Sequence, residues 1–153
     1  MYALREIRHP NIIQMKEVHE LNGIIVLVME FISGPSLLKH ILSKGHLPEA
    51  EVIFIMERLL QTLQALHNKK IVHRNLKPEN ILLDYTSNGT ELKLTEFGFS
   101  CSVDPDVENS WHVTQNVCTK CGTPGYMAPE ILASKTSTLS ADIFSMGVIL
   151  YTW

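Results

Sequence analysis

His73-Arg74-Asn75-Leu76-Lys77-Pro78-Glu79-Asn80, followed further on by Glu96-Phe97-Gly98, is the stretch that decides the fold. Between the two segments, residues 81–84 and 91–95 are β-rich runs. Ser87-Asn88-Gly89 supplies the Asn-Gly signal of a tight hairpin turn. Upstream, Pro48-Glu49-Ala50-Glu51 opens the strongest helical pattern in the chain. Val52, Met56, Leu59, Leu60, Leu63 and Leu66 recur there at helical spacing through His67.

Working outward, residues 1–8 read as a helix that ends before His9-Pro10, because a residue preceding proline resists helical geometry. Residues 13–19 and 24–30 are β-rich and flank the turn Leu21-Asn22-Gly23. Residues 31–35 contain Gly34 and Pro35 and read as an irregular connection. Ser36 then suits the N-cap of a helix to about Lys44. Toward the other end, residues 127–133 read as a short helix, and Ser140 as the cap of a last one running to Trp153. Residues 101–116 are polar and acidic and read as a mobile loop.

The first segment resembles the catalytic loop H-R-D-x-x-x-x-N of eukaryotic protein kinases, with Asn75 where that family has its catalytic Asp. The second resembles D-F-G, with Glu96 in place of the metal-binding Asp. Two more blocks follow in the family's order: Gly122-Thr-Pro-Gly-Tyr-Met-Ala-Pro-Glu130 and Ser140-Ala-Asp-Ile-Phe-Ser-Met-Gly147. His9-Pro10-Asn11-Ile12 fits the segment after the family's αC helix. The wording of residues 76–80 and 122–126 is similar to that of Ser/Thr kinases, in particular the calcium/calmodulin-dependent group. The resemblance implies an α+β, two-lobed, kinase-like fold in truncated form. Residues 1–30 would be a remnant of the small-lobe sheet and residues 31–35 the hinge. Residues 36–153 would be a partial, mostly helical large lobe ending in the αF helix, with an activation segment at 96–130.

Site roles follow from the same resemblance. Lys77 matches the lysine that approaches the transferred phosphate, and Asn80, with Glu96, the metal ligands. Met29 matches the gatekeeper, Glu30 and Ile32 the hinge positions at the adenine edge, and Leu82 a further cofactor contact. Arg74 matches the arginine that receives an activation-loop phosphate, and Thr119 a position where many kinases carry one. Leu4, Met15, His73 and Phe97 match the spine of side chains that joins the lobes. Asp142 matches the buried aspartate behind the catalytic loop, and Glu130 closes the Ala-Pro-Glu block as a structural residue. ATP and Mg²⁺ are the implied cofactors, and a protein bearing Ser or Thr the implied partner.

Two substitutions bear on activity. An amide cannot take the proton that a carboxylate takes, and a positioned general base contributes roughly 10²–10⁴-fold. Glu96 keeps the charge but adds a methylene, whereas Mg²⁺ demands near-ideal octahedral geometry. No glycine-rich loop or strand lysine of the V-A-I-K type occurs, and the αC glutamate would fall one residue before Met1, leaving Glu6 a solvated helix residue. An impaired Ser/Thr kinase domain is therefore expected, the alternatives being a pseudokinase scaffold or a non-functional truncated copy.

The bulk numbers point the same way. A net charge of −3 gives no electrostatic case for nucleic acid or an anionic membrane. Three cysteines in 153 residues argue for a reducing compartment, cytoplasmic or nuclear, rather than a disulfide framework. Cys118 and Cys121 form a lone C-x-x-C, with Cys101 and His112 nearby, a weak zinc signal. The sequon Asn88-Gly89-Thr90 reads as part of the turn.

Overall fold

The computed structural model describes residues 7–87, 89–103, 121–133 and 138–153. Residues 1–6 of the expected helix, with Leu4 and Glu6, and most of the acidic loop, Thr119, Cys118, His112 and Asn88 lie outside the described residues; Ile7 and Arg8, where that helix was expected to end, are not helical.

Strands β1 (Met15–Leu21) and β2 (Ile24–Met29) form an antiparallel pair closed by Asn22 and Gly23, both at positive φ. The chain then crosses residues 31–35, where Pro35 C=O accepts from Leu83 N–H at 2.9 Å. A Cβ on Gly34 would lie 1.9 Å from Leu83 O, so only glycine lets this connection pass so close. Helix α1 (Leu37–Lys44) begins at Ser36, whose Oγ accepts from Lys39 N–H at 3.3 Å, as the sequence predicted.

Helix α2 (Glu49–Asn68) is the central strut, with Ile55, Leu59, Thr62, Leu63 and Leu66 buried. The expected stripe is corrected at one position. Leu60 is 47% exposed, because the step from the buried Leu59 turns it about 100° away, and Ile55 takes the inward place. Glu51 ties α1 to α2. It lies 2.8 Å from Lys44 Nζ and 2.6 Å from His40 Nε2, and the Lys44 hydrogen bond chiefly holds its carboxyl below the usual range.

Beyond α2, β3 (Ile71–Val72) pairs with β6 (Cys101–Ser102), and β4 (Ile81–Thr86) with β5 (Gly89–Leu94), both antiparallel. Ile81, Leu83, Leu92 and Leu94 form the inward face of the second hairpin and pack with α2 and Leu37 in one core. The His9–Ile12 stretch docks on that hairpin: Leu94 N–H donates to Asn11 O at 2.8 Å, and Asn11 Nδ2 to Leu92 O at 3.0 Å.

The C-terminal elements depart from expectation at their starts. Helix α3 spans Pro129–Leu132, shorter than 127–133, because Pro129 sits at its first turn after a 3₁₀ turn at Pro124–Tyr126. Helix α4 spans Leu139–Tyr151 with Thr138, not Ser140, at the N-cap, and ends short of Trp153. The two hydroxyls bond each other at 2.6 Å instead of capping the backbone. These three antiparallel strand pairs and the helices make an α+β, protein-kinase-like arrangement.

Candidate functional site

The site is built around one buried carboxylate. Asp142, in the first turn of α4, is fully buried. Its Oδ2 accepts from His73 N–H and its Oδ1 from Arg74 N–H, both at 2.9 Å. His67 Nε2 lies 3.0 Å from Oδ2, and since a carboxylate only accepts, that nitrogen carries the proton. A charge removed from water needs such a set of donors. The set holds Arg74 at φ 67, a left-handed conformation costly to a long side chain. His67 escaped the sequence reading, and its place in the last turn of α2 is the sole sequence signal for it.

His73 is fully buried and stacks edge-to-face on Phe97, with ring centroids 4.8 Å apart. Its Nε2 donates to Thr95 O at 2.8 Å, so Nδ1 is the free acceptor and takes Asn75 N–H at 3.3 Å. Burial pushes the imidazole below its ordinary value, outweighing Asp142, the Thr95 carbonyl and Glu96, which act the other way. The ring is a neutral linker.

Asn75 and Asn80 are both buried, and Asn80 Nδ2 donates to Asn75 O at 2.7 Å, closing the loop on itself. Asn80 O in turn accepts from Thr95 N–H at 2.9 Å and Thr95 Oγ1 at 3.0 Å, a second partner with no sequence signal. Thr123 Oγ1 donates to Asn75 Oδ1 at 3.3 Å. Gly122 brings it there: its φ is +119, and a Cβ would sit 2.6 Å from Arg74 O. Lys77 is partly exposed with Nζ 3.9 Å from Glu79 Oε1. Arg74 Nε donates to Phe99 O.

Glu96 is exposed at φ 61, ψ 55, directly before the 3₁₀ turn Phe97–Phe99 that buries Phe97. Asn80's hydrogen bond consumes an amide N–H and leaves its oxygen. With the Glu96 carboxylate this makes two hard oxygen donors, the type Mg²⁺ takes from protein when phosphates and water supply the rest. Among the described residues no group of three or more His, Cys, Asp or Glu could hold a metal ion.

The remaining predicted positions lie along the strand edge and connection. Met29 pairs with Met15 across β1 and β2. Glu30 N–H donates to Gln14 O at 2.9 Å, while its carboxylate accepts from Gln14 N–H at 2.8 Å and lies 3.2 Å from Lys93 Nζ. Ile32 packs on the core, and Leu82 bridges to Ser36. Met15 is half-buried, and Glu130 is half-buried in the first turn of α3. The geometry thus joins His73, Phe97, Asn75, Asn80, Arg74 and Asp142 in one bonded unit, with Lys77 in the same loop. No hydrogen bond or ion pair links Met29, Ile32 or Glu130 to it among the described residues.

The sequence is similar to known proteins along nearly its whole length. The profile of the protein kinase domain matches residues 1–153. A calcium/calmodulin-dependent protein kinase type 1 from Macrobrachium nipponense is 34% identical over 149 residues, covering 97% of this chain and 41% of its own. The human serine/threonine-protein kinase DCLK3 is 38% identical over 97% of this chain and 22% of its own. The Arabidopsis thaliana serine/threonine-protein kinase ATG1c is 37% identical over 99% and 20%. The chain therefore spans about two fifths or less of the length of these relatives. Among the described residues no helix is long and apolar enough to cross a membrane. On this match and this geometry, the chain belongs to the protein kinase family, of the Ser/Thr type.

Proposed function

We propose that this chain is the core of a Ser/Thr kinase domain whose phosphate-transfer chemistry is impaired while its scaffold is kept. The observation that carries the reading is Asn75. The loop around it is bonded on every side, by Asp142, His73, Asn80 and Thr123, yet the residue so held is an amide. Transfer from ATP is mostly positioning and charge stabilisation. Lys77 would meet the transferred phosphate, and Asn80 and Glu96 would hold Mg²⁺. The strip Met29, Glu30, Ile32 and Leu82 would face the nucleotide base. Bound ATP–Mg²⁺ supplies the phosphoryl group and the metal's charge. What is missing is the carboxylate that accepts the hydroxyl proton. The division into small-lobe part, hinge at 31–35, large-lobe part and activation segment at 96–130 belongs to this proposal, as do Arg74 and Thr119 as a phosphate-linked pair.

A second reading, a pseudokinase that acts by binding alone, is favoured by the same completeness of bonding around Asp142. The two separate in one experiment on the full-length protein. Asn75→Asp should raise transfer to a Ser/Thr peptide, approaching the ~10²–10⁴-fold worth of a positioned base. Transfer by the unmodified protein at an ordinary rate of about 1–100 s⁻¹ would end both readings.

A further inference from the structure

Asn75 differs from a carboxylate in hydrogen-bonding sense as well as in charge. Its Oδ1 accepts from Thr123 Oγ1 at 3.3 Å, its backbone C=O from Asn80 Nδ2 at 2.7 Å, and its backbone N–H donates to His73 Nδ1 at 3.3 Å. The side-chain NH₂ is what remains, and it has no acceptor among the described residues. Where a carboxylate offers acceptors only, an amide turned this way offers two donors. Leu76 is 1% exposed, and Lys77 follows it with extended backbone at φ −164, ψ 159. Asn75 is itself only 9% exposed, and Lys77, two residues on, is partly exposed. The Lys77 ammonium is only loosely engaged, 3.9 Å from Glu79.

We infer that this surface of the 73–80 loop binds an oxyanion on a partner protein's side chain, carboxylate or phosphate monoester, in preference to a Ser or Thr hydroxyl. A hydroxyl entering here meets a donor where its own proton needs an acceptor. An oxyanion has acceptors only, and the NH₂ of Asn75 and the ammonium of Lys77, two residues apart in one loop, are both donors to it, each bond assisted by the oxyanion's charge. Glu79 and Glu96 remain as nearby acidic groups, so the gain over a kinase-type loop is the one negative charge removed at position 75. The inference rests on the reading that Asn75 removed transfer while leaving a protein partner at this loop.

The test is calorimetric titration of the full-length protein with acetylated Ala-Ala-X-Ala-Ala amides, X being Ser, Glu or phosphoserine, and with inorganic phosphate. At least one oxyanion peptide should bind about tenfold or more tighter than the Ser peptide, the scale of a hydrogen bond to a charged group. Binding of both identifies carboxylate as sufficient, and binding of the phosphoserine peptide alone identifies phosphate. Asn75→Asp should abolish the preference. Thr123→Val, which releases Oδ1, should reduce it, and Thr123→Ser should keep it. Should Asn75→Asp fail to fold, the Thr123 pair still decides. A Ser peptide that binds as well as the others overturns the inference. So does a preference that survives Asn75→Asp, or Thr123→Val, or inorganic phosphate whose equal affinity is indifferent to those changes. The impaired-kinase reading fails separately, on transfer by the unmodified protein.

Discussion

At the scale of single residues, the site holds strain and burial together. Glu96 occupies the left-handed region at φ 61, where Asn and Asp are enriched and longer side chains are not. Its carboxyl is exposed and receives no hydrogen bond in compensation among the described residues. Glu96→Asn should therefore stabilise the fold by a few tenths to about 1 kcal/mol in urea unfolding, and an unchanged midpoint would refute the strain. His73 makes the opposite kind of statement. Its folded-state pKa lies below the ordinary 6.5, so between the two values the unfolded chain binds a proton that the folded chain refuses. Stability is then full above about pH 6.5 and falls as pH drops through that window, by at most about 1.4 kcal/mol per pH unit. His9, also lowered by burial, adds the same sign. His73→Leu should flatten the slope between pH 7 and 5; an identical slope would assign it to other groups. The sequence named both residues because each sits in a fixed motif. It missed His67 and Thr95, whose partners Asp142 and Asn80 lie 75 and 15 residues away. Contacts at such range leave no local periodicity or spacing to read.

At the scale of elements, legibility followed how locally each boundary is determined. Ser36 was readable as a cap because a hydroxyl before an apolar run satisfies a free helical N–H with no outside help. Ser36→Ala should cost about 0.5–1 kcal/mol. Ser140 misled for a local reason too, since Thr138 offers the same chemistry two residues earlier and the hydroxyls satisfy each other. Leu60 was misplaced because the adjacent Leu59 and Leu60 offer two overlapping stripes, and only packing from outside the helix decides that Leu59 is the one inside. Gly122 carries the sharpest element-scale prediction. At φ +119 with the Arg74 carbonyl 2.6 Å from a would-be Cβ, Gly122→Ala should cost about 1–3 kcal/mol and pull Thr123 off Asn75. Gly125 has nothing within 4 Å of its would-be Cβ, so Gly125→Ala should be near neutral. Equal effects of the two in thermal unfolding would remove the close approach as the cause.

At the scale of the whole molecule, the apolar surface is unevenly covered. The core around α2 is closed, with Leu37, Leu66, Leu94 and Ile149 fully buried. Strand β2, however, exposes Ile24 at 65% and Ile25 at 53%, and Phe31 after it stands at 87%. Every residue of β2 is apolar, the pattern of a strand covered on both faces, yet its outer edge has no partner strand among the described residues. Along α4, Ile143, Phe144 and Tyr151 are exposed as well. Burying a large apolar side chain is worth about 1.5–3 kcal/mol, so two or three of them offset much of the cost of association. The 153-residue polypeptide on its own should therefore self-associate, with a sedimentation coefficient that rises with concentration. Ile25→Thr with Phe31→Ser should shift that rise to higher concentration, because both changes lie on the β2 side and neither touches the closed core. Ile143→Ser alone should shift it less if the open sheet edge dominates, since an edge supplies backbone hydrogen bonds as well as apolar area. A single monomer boundary at every concentration would show that the exposed strand is tolerated in water, and would remove the case for a partner strand along β2.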